Sequence, residues 1–446
     1  GFAGIFRMPE IVAEPLVEIS GLHLHTTWED SSAFSAMKTE DTDDSALIRF
    51  GESLELRRDG RIRLDVSFHN HTDLTVPVHV RFQLIEARPE YDLYNLPVHP
   101  IGVMKKMEGS IAAGSDLTLQ SEISARSVLP WSDSYPFLYD LIFTVHDAND
   151  RIISVRKVRF GFRTSEVIAR VFHLNDTALP LKAVRYFSFD PLGGIAVPYE
   201  RFRQDICMMK QAGVNTVITA HFPADPVFYN MCDAYGLYVI SQADSIYMKG
   251  MFEALMSHPS IIFWSFAPLH FDESKVWEHK QKLLILDGSR PFYCETDRSL
   301  SLSDIPPFPC DAGVLFGAWS DICLDKKYLQ SKLNPGHFIF EKQKGRGKRE
   351  TDAMDTKWIH QGDIEEFHEK TDVPIAQGIV SADRIPHPIY FEVKKQCETL
   401  HVVPSPDDPA DLSLNNLHPI GATGELILSW QLLLGGLRLT GGEGPV

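Results

Sequence analysis

Residues 199–219 read YERFRQDICMMKQAGVNTVIT, a helix pattern followed by a strand pattern. Phe202, Ile206 and Met209 recur at the spacing of one helix face, and Gly213 is the residue type that commonly ends a helix. The apolar run 214–219 then predicts a buried strand. Because helices and strands that alternate in this way form parallel sheets, the stretch predicts an α/β domain.

The alternation continues over residues 164–396. A helix is predicted over 225–235, and strands are predicted over 237–240 and 261–266. This length suits a (β/α)₈ TIM barrel. A doubly wound sheet is the alternative, but no glycine-rich phosphate-binding turn follows any of these strands in the sequence.

The flanking segments have β patterns. Within residues 11–163, alternating runs at 61–68, 78–84 and 138–145 predict an immunoglobulin-like β-sandwich. Residues 397–446 contain a Pro/Asp-rich connector and further strand patterns, which predict a partial second β-sandwich.

The 446 residues carry a formal net charge of −17, which argues against a nucleic-acid or anionic-membrane surface. The basic run 342–349 is interpreted as a solvated loop. No apolar run reaches the roughly 18 residues of a membrane helix. The six cysteines form no CxxC pair, so we expect no zinc ribbon. We expect the thiols to be reduced and the protein to be cytoplasmic.

Short motifs follow one another along nearly the whole chain. They are GIFR at 4–7, WS at 131–132, PFLY at 136–139, GFR at 161–163, DICMMKQ at 205–211, AHFP at 220–223, CDAYGLY at 232–238, HPSIIFWS at 258–265, DGSRP at 287–291, ADR at 382–384, PHP at 386–388 and EVKK at 392–395. In this order they resemble the large β-galactosidases of glycoside hydrolase family 2. The resemblance implies a TIM barrel between immunoglobulin-like sandwiches, with residues 1–10 as the tail of a preceding, missing jelly-roll domain.

The resemblance also implies two catalytic carboxylates at the carboxyl ends of the barrel strands. The general acid/base Glu follows the HPSIIFWS strand in the family, but Leu269 stands at its position and Pro268 at that of the preceding Asn. An alkyl side chain has no proton to give. The segment 310–317 puts Asp311, one methylene shorter than Glu, at the nucleophile position.

Other family site positions also differ. Ile218 replaces an Arg, Arg185 opens the segment that reaches the sugar, and Gln242 stands at a magnesium-ligand position. Pro374 and Gln377 stand near the family's sodium site. We therefore expect no cofactor and no bound Mg²⁺ or Na⁺.

Four residues remain candidates for substrate binding, each with a structural alternative. They are His221, Glu295, Arg185 and Asp383. For the first two, a local hydrogen bond or a buried salt bridge is the competing interpretation.

These replacements predict a β-galactosidase-like protein that is inactive or severely impaired, a pseudoenzyme with a carbohydrate-binding or structural role. Its expected ligand is a β-galactoside or another glycan, and the expected assembly is a homo-oligomer or a subunit of a larger complex. The alternative is an active retaining β-glycosidase with relocated carboxylates. Candidates for these are Asp244, Asp272, Glu273 and Glu295. Different chemistry on the same barrel is a third possibility.

Overall fold

The computed structural model describes thirteen stretches of the chain. They are residues 13–28, 57–87, 100–219, 223–242, 248–266, 273–294, 313–321, 323–325, 358–360, 378–404, 412–416, 427–434 and 437–445.

Seven antiparallel strands form the first domain. They are β1 (Val17–Trp28), β2 (Arg58–Asn70), β3 (Val76–Glu86), β4 (Pro100–Ile111), β5 (Asp116–Val128), β6 (Tyr139–His146) and β7 (Ile152–Phe160). They make two sheets, in the orders β1-β2-β5 and β4-β3-β6-β7. Ile62, Leu64, Val66 and Phe68 are fully buried and alternate with more exposed neighbours. This period of two is the predicted pattern of the immunoglobulin-like sandwich, and one apolar core joins the two sheets.

The second domain starts with a small antiparallel sheet, β8 (Ser165–Ile168), β9 (Val171–Leu174) and β10 (Thr177–Ala178). Seven parallel strands follow: β11 (Lys182–Tyr186), β12 (Thr216–Thr219), β13 (Tyr238–Gln242), β14 (Ile261–Phe266), β15 (Phe292–Cys294), β16 (Val314–Ser320) and β19 (Gly378–Val380). Their order is β15-β14-β13-β12-β11-β16-β19. The helices are α1 (Tyr199–Gln211), α2 (Pro226–Tyr235), α3 (Met248–Leu255), α4 (Glu273–Leu286) and α5 (Pro388–Cys397).

The local predictions are confirmed within a few residues at each end. The closed barrel is not what the described residues show, because their seven parallel strands make an open sheet with β15 and β19 at its edges. Closure needs a strand between these edges. The chain between β15 and β19 contributes β16 to this sheet, while β17 (Cys323–Asp325) and β18 (Trp358–His360) form a separate antiparallel pair.

Helix α2 shows how local sequence fixes an element. Asp225 caps its first turn by accepting a hydrogen bond from the Val227 N–H, and Pro226 occupies a position that has no helical hydrogen bond to lose. Gly236 ends it with φ +69°, a left-handed conformation that glycine tolerates. A Cβ atom here would lie 2.5 Å from the backbone oxygen of Asp133, so the cap also allows the first domain to approach.

The two faces of the parallel sheet have separate cores. On the face that we call the helix face, strand residues such as Val184, Tyr186 and Trp264 pack against the helices. On the opposite, inner face, Ala183, Ile218, Ile240 and Phe263 pack with Phe172 and Leu174 of β9. Side chains that alternate along each strand therefore divide between a structural core and an inner surface.

The C-terminal part contains β20 (Leu400–Pro404), β21 (Leu412–Asn416), β22 (Ile427–Leu434) and β23 (Leu437–Pro445). These form two separate antiparallel pairs, so the second sandwich stays a prediction. Among the described residues, no helix is long and apolar enough to cross a membrane. Four cysteines whose side chains the structure describes are free thiols: Cys207, Cys232, Cys294 and Cys397.

Candidate functional site

Parallel pairing brings the C-terminal ends of the seven strands to one border of the sheet, which we call the carboxyl edge. The register matches Tyr186 with Thr219 and Phe266 with Cys294. Ligand sites of parallel sheets lie at this edge, because the loops that follow the strands converge there.

The structure describes three of the predicted site residues, Arg185, Gln242 and Asp383, all at the carboxyl edge. His221, Leu269, Glu295 and Asp311 lie outside the described residues, as do Asp244 and Asp272. Glu273 is the first residue of α4. The roles predicted for all of these residues stay predictions.

Arg185 lies on the inner face of β11. It is half-buried and pairs in register with Ile218 on one side and Ala318 on the other. Ile218, its register partner on β12, is buried in the inner core. A guanidinium stays charged at every physiological pH and can only donate hydrogen bonds. It can hold a hydroxyl or a carboxylate, but it cannot act as an acid.

Gln242 is the last residue of β13. Its backbone N–H donates a 3.0 Å hydrogen bond to Thr219 Oγ1, and its register partner on β14 is Ser265. By strand alternation, Gln242 and Ser265 share the inner face with Arg185. An amide, a hydroxyl and a guanidinium can hydrogen-bond a polyhydroxylated ligand, but none of them titrates near neutral pH.

The same residues fit the family's magnesium ion poorly, because Mg²⁺ is bound through carboxylates and Gln242 offers a neutral amide oxygen. Within the stretches that the structure describes, no group of three or more His, Cys, Asp or Glu side chains is placed to hold a metal ion.

Asp383 follows β19 and is half-buried. Its Oδ1 accepts a 2.6 Å hydrogen bond from Ser381 Oγ, and the Ser381 hydroxyl also accepts from the Ile385 N–H at 2.9 Å. The retained carboxylate therefore helps to order the turn between β19 and α5.

Asp321 was missed by sequence reasoning. It follows β16, and its Oδ1 accepts a 2.8 Å hydrogen bond from the Gly378 N–H. Its Oδ2 lies 3.0 Å from His387 Nε2, so it ties β16 to β19 and to the start of α5. The only signal in the sequence is an acid directly after an apolar strand.

Asp190 is a second acid that the sequence did not single out. It is 3% exposed and accepts hydrogen bonds from the N–H groups of Leu192 and Gly193, and from Arg201 Nε at 3.0 Å. Asp190, Asp321 and Asp383 are thus all engaged in loop structure. A nucleophile needs a carboxylate oxygen directed at the substrate.

A pocket of about 670 Å³ adjoins the carboxyl edge, between the loop after β11 and the start of α2. Leu192, Val197 and Pro198 give it mostly apolar walls, and the Asp190–Arg201 pair lies at its side. This pocket suits an apolar group of a ligand better than a sugar ring.

Strand β14 leads toward position 269, where the sequence predicts that Leu replaces the acid/base Glu. Its residues Ile261 to Ser265 are buried, and the ring of Phe266 stacks on His279 with centroids 4.1 Å apart. A register shift interrupts the pairing of β14 with β13 near its start, and the pairing then continues to Ser265. Ala267, Pro268 and Leu269 are the next residues in the sequence, and Leu269 lies outside the described residues.

The chain approaches β16 from the opposite border, which we call the amino edge. Val314, the first residue of β16, pairs with Lys182, the first residue of β11. Asp311 lies outside the described residues, and its assignment as nucleophile stays a prediction.

Other motif residues build a buried ionic cluster on the helix face. Arg384 of the ADR motif donates to Asp205 at 2.6 and 2.9 Å, and both side chains are fully buried. Trp319 Nε1 and the Tyr186 hydroxyl donate to the same carboxylate at 2.8 and 2.9 Å. Burial raises the pKa of Tyr186 well above its usual value and Asp205 raises it further, so the phenol stays a neutral donor.

A second group of motif residues joins the two domains. Arg163 of the GFR motif donates to the backbone oxygens of Pro259 and Ile261, both at 2.6 Å. Trp131 Nε1 donates to the Asp233 backbone oxygen at 2.9 Å. We call this contact region the seam. At the seam, a Cβ on Gly161 would lie 3.0 Å from Pro259, so the GFR glycine permits the close approach.

Asp233 and Asp287 order the loops at the seam. The Asp233 carboxylate contacts His258 and accepts from the Ser260 N–H at 3.0 Å. Asp287 pairs with Arg290 and accepts from Trp264 Nε1 at 2.8 Å. These motif residues hold loops, strands and the two domains together, and we call them the frame of the fold. Residue type alone does not distinguish them from site residues in the sequence.

Two family models match the chain. The model described as "Glycosyl hydrolases family 2" matches residues 48–163, and the model described as "Glycosyl hydrolases family 2, TIM barrel domain" matches residues 166–248.

Curated relatives include a β-galactosidase of Alteromonas mediterranea, 25% identical over 377 residues, with 71% of this chain and 36% of the relative covered. A β-galactosidase of Priestia megaterium is 29% identical over 189 residues, covering 36% of this chain and 18% of the relative. The chain thus spans about a third or less of the length of these relatives.

Two solved structures have similar folds. One is a β-glucuronidase of Parabacteroides merdae, with a TM-score of 0.56 and 16% identity over 87% of this chain and 53% of that chain. The other is a family 2 β-galacturonidase of Eisenbergiella tayi, with a TM-score of 0.56 and 13% identity over 87% of this chain and 73% of that chain. At these identities the likeness concerns the fold.

Proposed function

Because the chain belongs to glycoside hydrolase family 2, we propose that it is a glycosidase-like protein whose hydrolytic activity is lost or severely impaired and whose role is glycan binding or structural. The expected ligand is a β-galactoside or another glycan. One observation carries this proposal: β14 keeps its pairing with β13 and β15 up to Ser265 and Phe266 at the carboxyl edge, and Leu269 stands three residues beyond its end in the sequence.

The described residues on the inner face at the carboxyl edge support binding of a glycan without its hydrolysis. Arg185, Gln242 and Ser265 offer hydrogen bonds, while the described carboxylates nearby are engaged in loops. Loss of a general acid typically costs about 10²–10⁴-fold in rate. We also propose that binding needs no divalent cation.

The first test separates binding from turnover. Calorimetry with a non-hydrolysable thiogalactoside is expected to give heat of binding. Release of nitrophenol from an aryl β-galactoside is expected to be at least about 100-fold slower than by an active family 2 β-galactosidase. Turnover comparable with that of the active enzyme would overturn the proposal.

A matched pair of variants locates the binding site. Arg185→Met should weaken thiogalactoside binding by about tenfold, because hydrogen bonds to a charged group contribute about 1.5–3 kcal/mol. Arg156→Met, an exposed arginine on β7 that pairs with Glu14, should leave affinity unchanged. Equal affinities for both variants would place binding elsewhere.

In the alternative, the chain is an active retaining glycosidase whose catalytic carboxylates have moved to other positions. Glu295 directly follows β15, and Glu273 opens α4, so both are close in sequence to the carboxyl edge. A retaining enzyme would be trapped covalently by a 2-deoxy-2-fluoro galactoside, and Glu295→Gln or Glu273→Gln would abolish the mass increase. We expect no mass increase in the unmodified chain.

A structural role predicts a homo-oligomer or a subunit of a larger assembly. Sedimentation velocity would show a species heavier than the 50.4 kDa chain. A monomer at all concentrations, together with no glycan binding, would remove both parts of the proposed role. The cytoplasmic location stays a prediction.

A further inference from the structure

A second cavity lies at the seam, on the opposite side of the parallel sheet from the carboxyl edge. Its volume is about 800 Å³. Its walls come from residues 24–28 of β1, residues 57–59 around the start of β2, the linker around 160–166, and the loops that precede β14 and β15. Pockets that hold small organic ligands have volumes of about 300–1,000 Å³.

Among the residues that the structure describes, three buried polar atoms of this wall have no hydrogen-bond partner. They are Trp28 Nε1, Arg57 Nε and Thr164 Oγ1. An unsatisfied buried donor costs about 1–3 kcal/mol. The indole and guanidinium N–H groups can only donate, so the group that would satisfy them has to be an acceptor.

The charges around the cavity favour a negative acceptor. Arg163 and Arg290 both line it. Arg290 pairs with Asp287, whereas Arg163 donates to backbone oxygens and to Ser165 and so brings a positive charge that no described carboxylate contacts. Burial lowers the pKa of His25; among the neighbouring charges Asp287 raises it most, and Arg290 and Arg163 lower it.

The acids of the same wall are mostly engaged. Asp59 accepts from the Ser127 N–H at 2.9 Å, and Asp176 pairs with Arg58 at 2.6 Å. Arg58 also lies over the Trp28 ring, 5.6 Å from its centroid. Arg58 thus holds the indole ring, while the indole N–H has no partner among the described residues.

We propose that this seam cavity binds a small organic molecule with a carboxylate, phosphate or sulfate group, whose oxygens accept hydrogen bonds from Trp28 Nε1 and Arg57 Nε. The volume accommodates a sugar acid or a sugar phosphate. The site is separate from the carboxyl edge and does not depend on the proposed function.

Calorimetry on the full chain tests this with four probes: galactose 6-phosphate, glucuronate, inorganic phosphate and neutral galactose. At least one of the two sugar anions is expected to bind with a Kd of about 1 mM or tighter. Comparing these two anions distinguishes a phosphate ester from a carboxylate. Inorganic phosphate should bind more weakly, and galactose should compete with neither anion.

Trp28→Phe keeps the aromatic ring and removes the N–H, so anion affinity should fall about tenfold, the loss of one hydrogen bond to a charged group. Arg57→Lys keeps the charge and removes the Nε donor, and it should also weaken binding. The matched control is Trp430→Phe, a half-exposed indole on β22, which should change nothing.

Thermal melting of each variant checks that it folds, and Arg57→Lys keeps the test open if Trp28→Phe does not fold. Failure of all anions to bind, or equal anion affinity in the parent chain and both variants, would overturn the proposal. Neither result would bear on galactoside binding at the carboxyl edge.

Discussion

Asp205 on α1 and Asp383 after β19 are both carboxylates of family motifs, but they lie in different surroundings. Asp205 is fully buried and receives hydrogen bonds from Arg384, Trp319 and Tyr186. Asp383 is half-buried at the carboxyl edge and accepts a hydrogen bond from Ser381 of its own turn. The first belongs to the buried frame of the fold, and the second to the carboxyl edge.

The two regions are under different physical constraints because one is buried and the other is half-exposed. A buried ion pair cannot lose one partner without leaving an uncompensated charge, so the frame tolerates little change. A half-exposed edge residue can be replaced at small cost to folding. This difference is consistent with the prediction from the sequence, in which the frame motifs are kept and Leu269, Ile218 and Gln242 stand at positions of polar site residues.

The largest expected effect is at Arg384. Arg384→Met leaves Asp205 buried without its ion-pair partner, which should lower the free energy of unfolding by about 3–5 kcal/mol. Urea denaturation followed by circular dichroism measures the loss.

Its matched control is Lys395→Met. The Lys395–Glu398 pair is exposed, so this substitution should lower the free energy of unfolding by less than about 1 kcal/mol. Similar losses for both substitutions would break the distinction between frame and surface.

Asp287 should make stability depend on pH. Burial raises its pKa, but Arg290 and hydrogen bonds from Ser289 and Trp264 outweigh burial and hold it well below its usual value. An unfolded Asp has a pKa of about 3.9, so this stabilisation is fully present above that value and is lost as pH falls through the folded pKa.

Asp287→Asn removes that proton linkage. The parent chain should lose about 1 kcal/mol more than the variant between pH 5.5 and pH 3. Urea midpoints at several pH values give the comparison. Parallel pH profiles for the two proteins would contradict the assignment.

At the Trp131 contact of the seam, the expected effect is smaller than that at Arg384. Trp131→Phe removes the hydrogen bond to the Asp233 backbone oxygen and leaves that buried acceptor with one partner fewer. The expected loss is about 1–3 kcal/mol, and it should appear as earlier melting of contacts between the domains. Hydrogen exchange that is unchanged around residues 131–133 and 233–238 would argue against this coupling.

The smallest effect is expected at the edge. Asp383→Asn keeps an oxygen that can accept from Ser381 Oγ, so the free energy of unfolding should change by less than about 1 kcal/mol. A loss as large as that of Arg384→Met would show that the edge is part of the frame, and would contradict the distinction between the two regions.

The hydrophobic periodicity and the residues that end helices predicted the secondary structure well. Helix α1 was predicted over 199–212 and spans Tyr199–Gln211, because both its apolar face and the glycine that ends it are features of the local sequence. The strand predicted over 214–219 begins later, at Thr216, because Asn215 uses its side chain and backbone to bind the neighbouring segment at Lys182 and Pro180.

The arrangement of the strands was harder to predict. Pairing of β16 with β11 depends on contacts between residues more than a hundred positions apart, and nothing in the local pattern specifies them. At the candidate site, sequence reasoning singled out Arg185, Gln242 and Asp383, which lie at the carboxyl edge, but it did not single out Asp321 or Asp190. Their roles as loop acceptors depend on backbone N–H groups, which carry no sequence signal.

Arg163 contacts the oxygens of Pro259 and Ile261 at one end of β14, and residue 269 follows the other end. The six residues of β14, about 20 Å of extended chain, separate these contacts from the carboxyl edge. The neighbouring domain therefore fixes the position of β14 along its own axis. A carboxylate introduced at position 269 would depend on that position. Loss of the Arg163 hydrogen bonds would shift β14 and, with it, the new carboxylate.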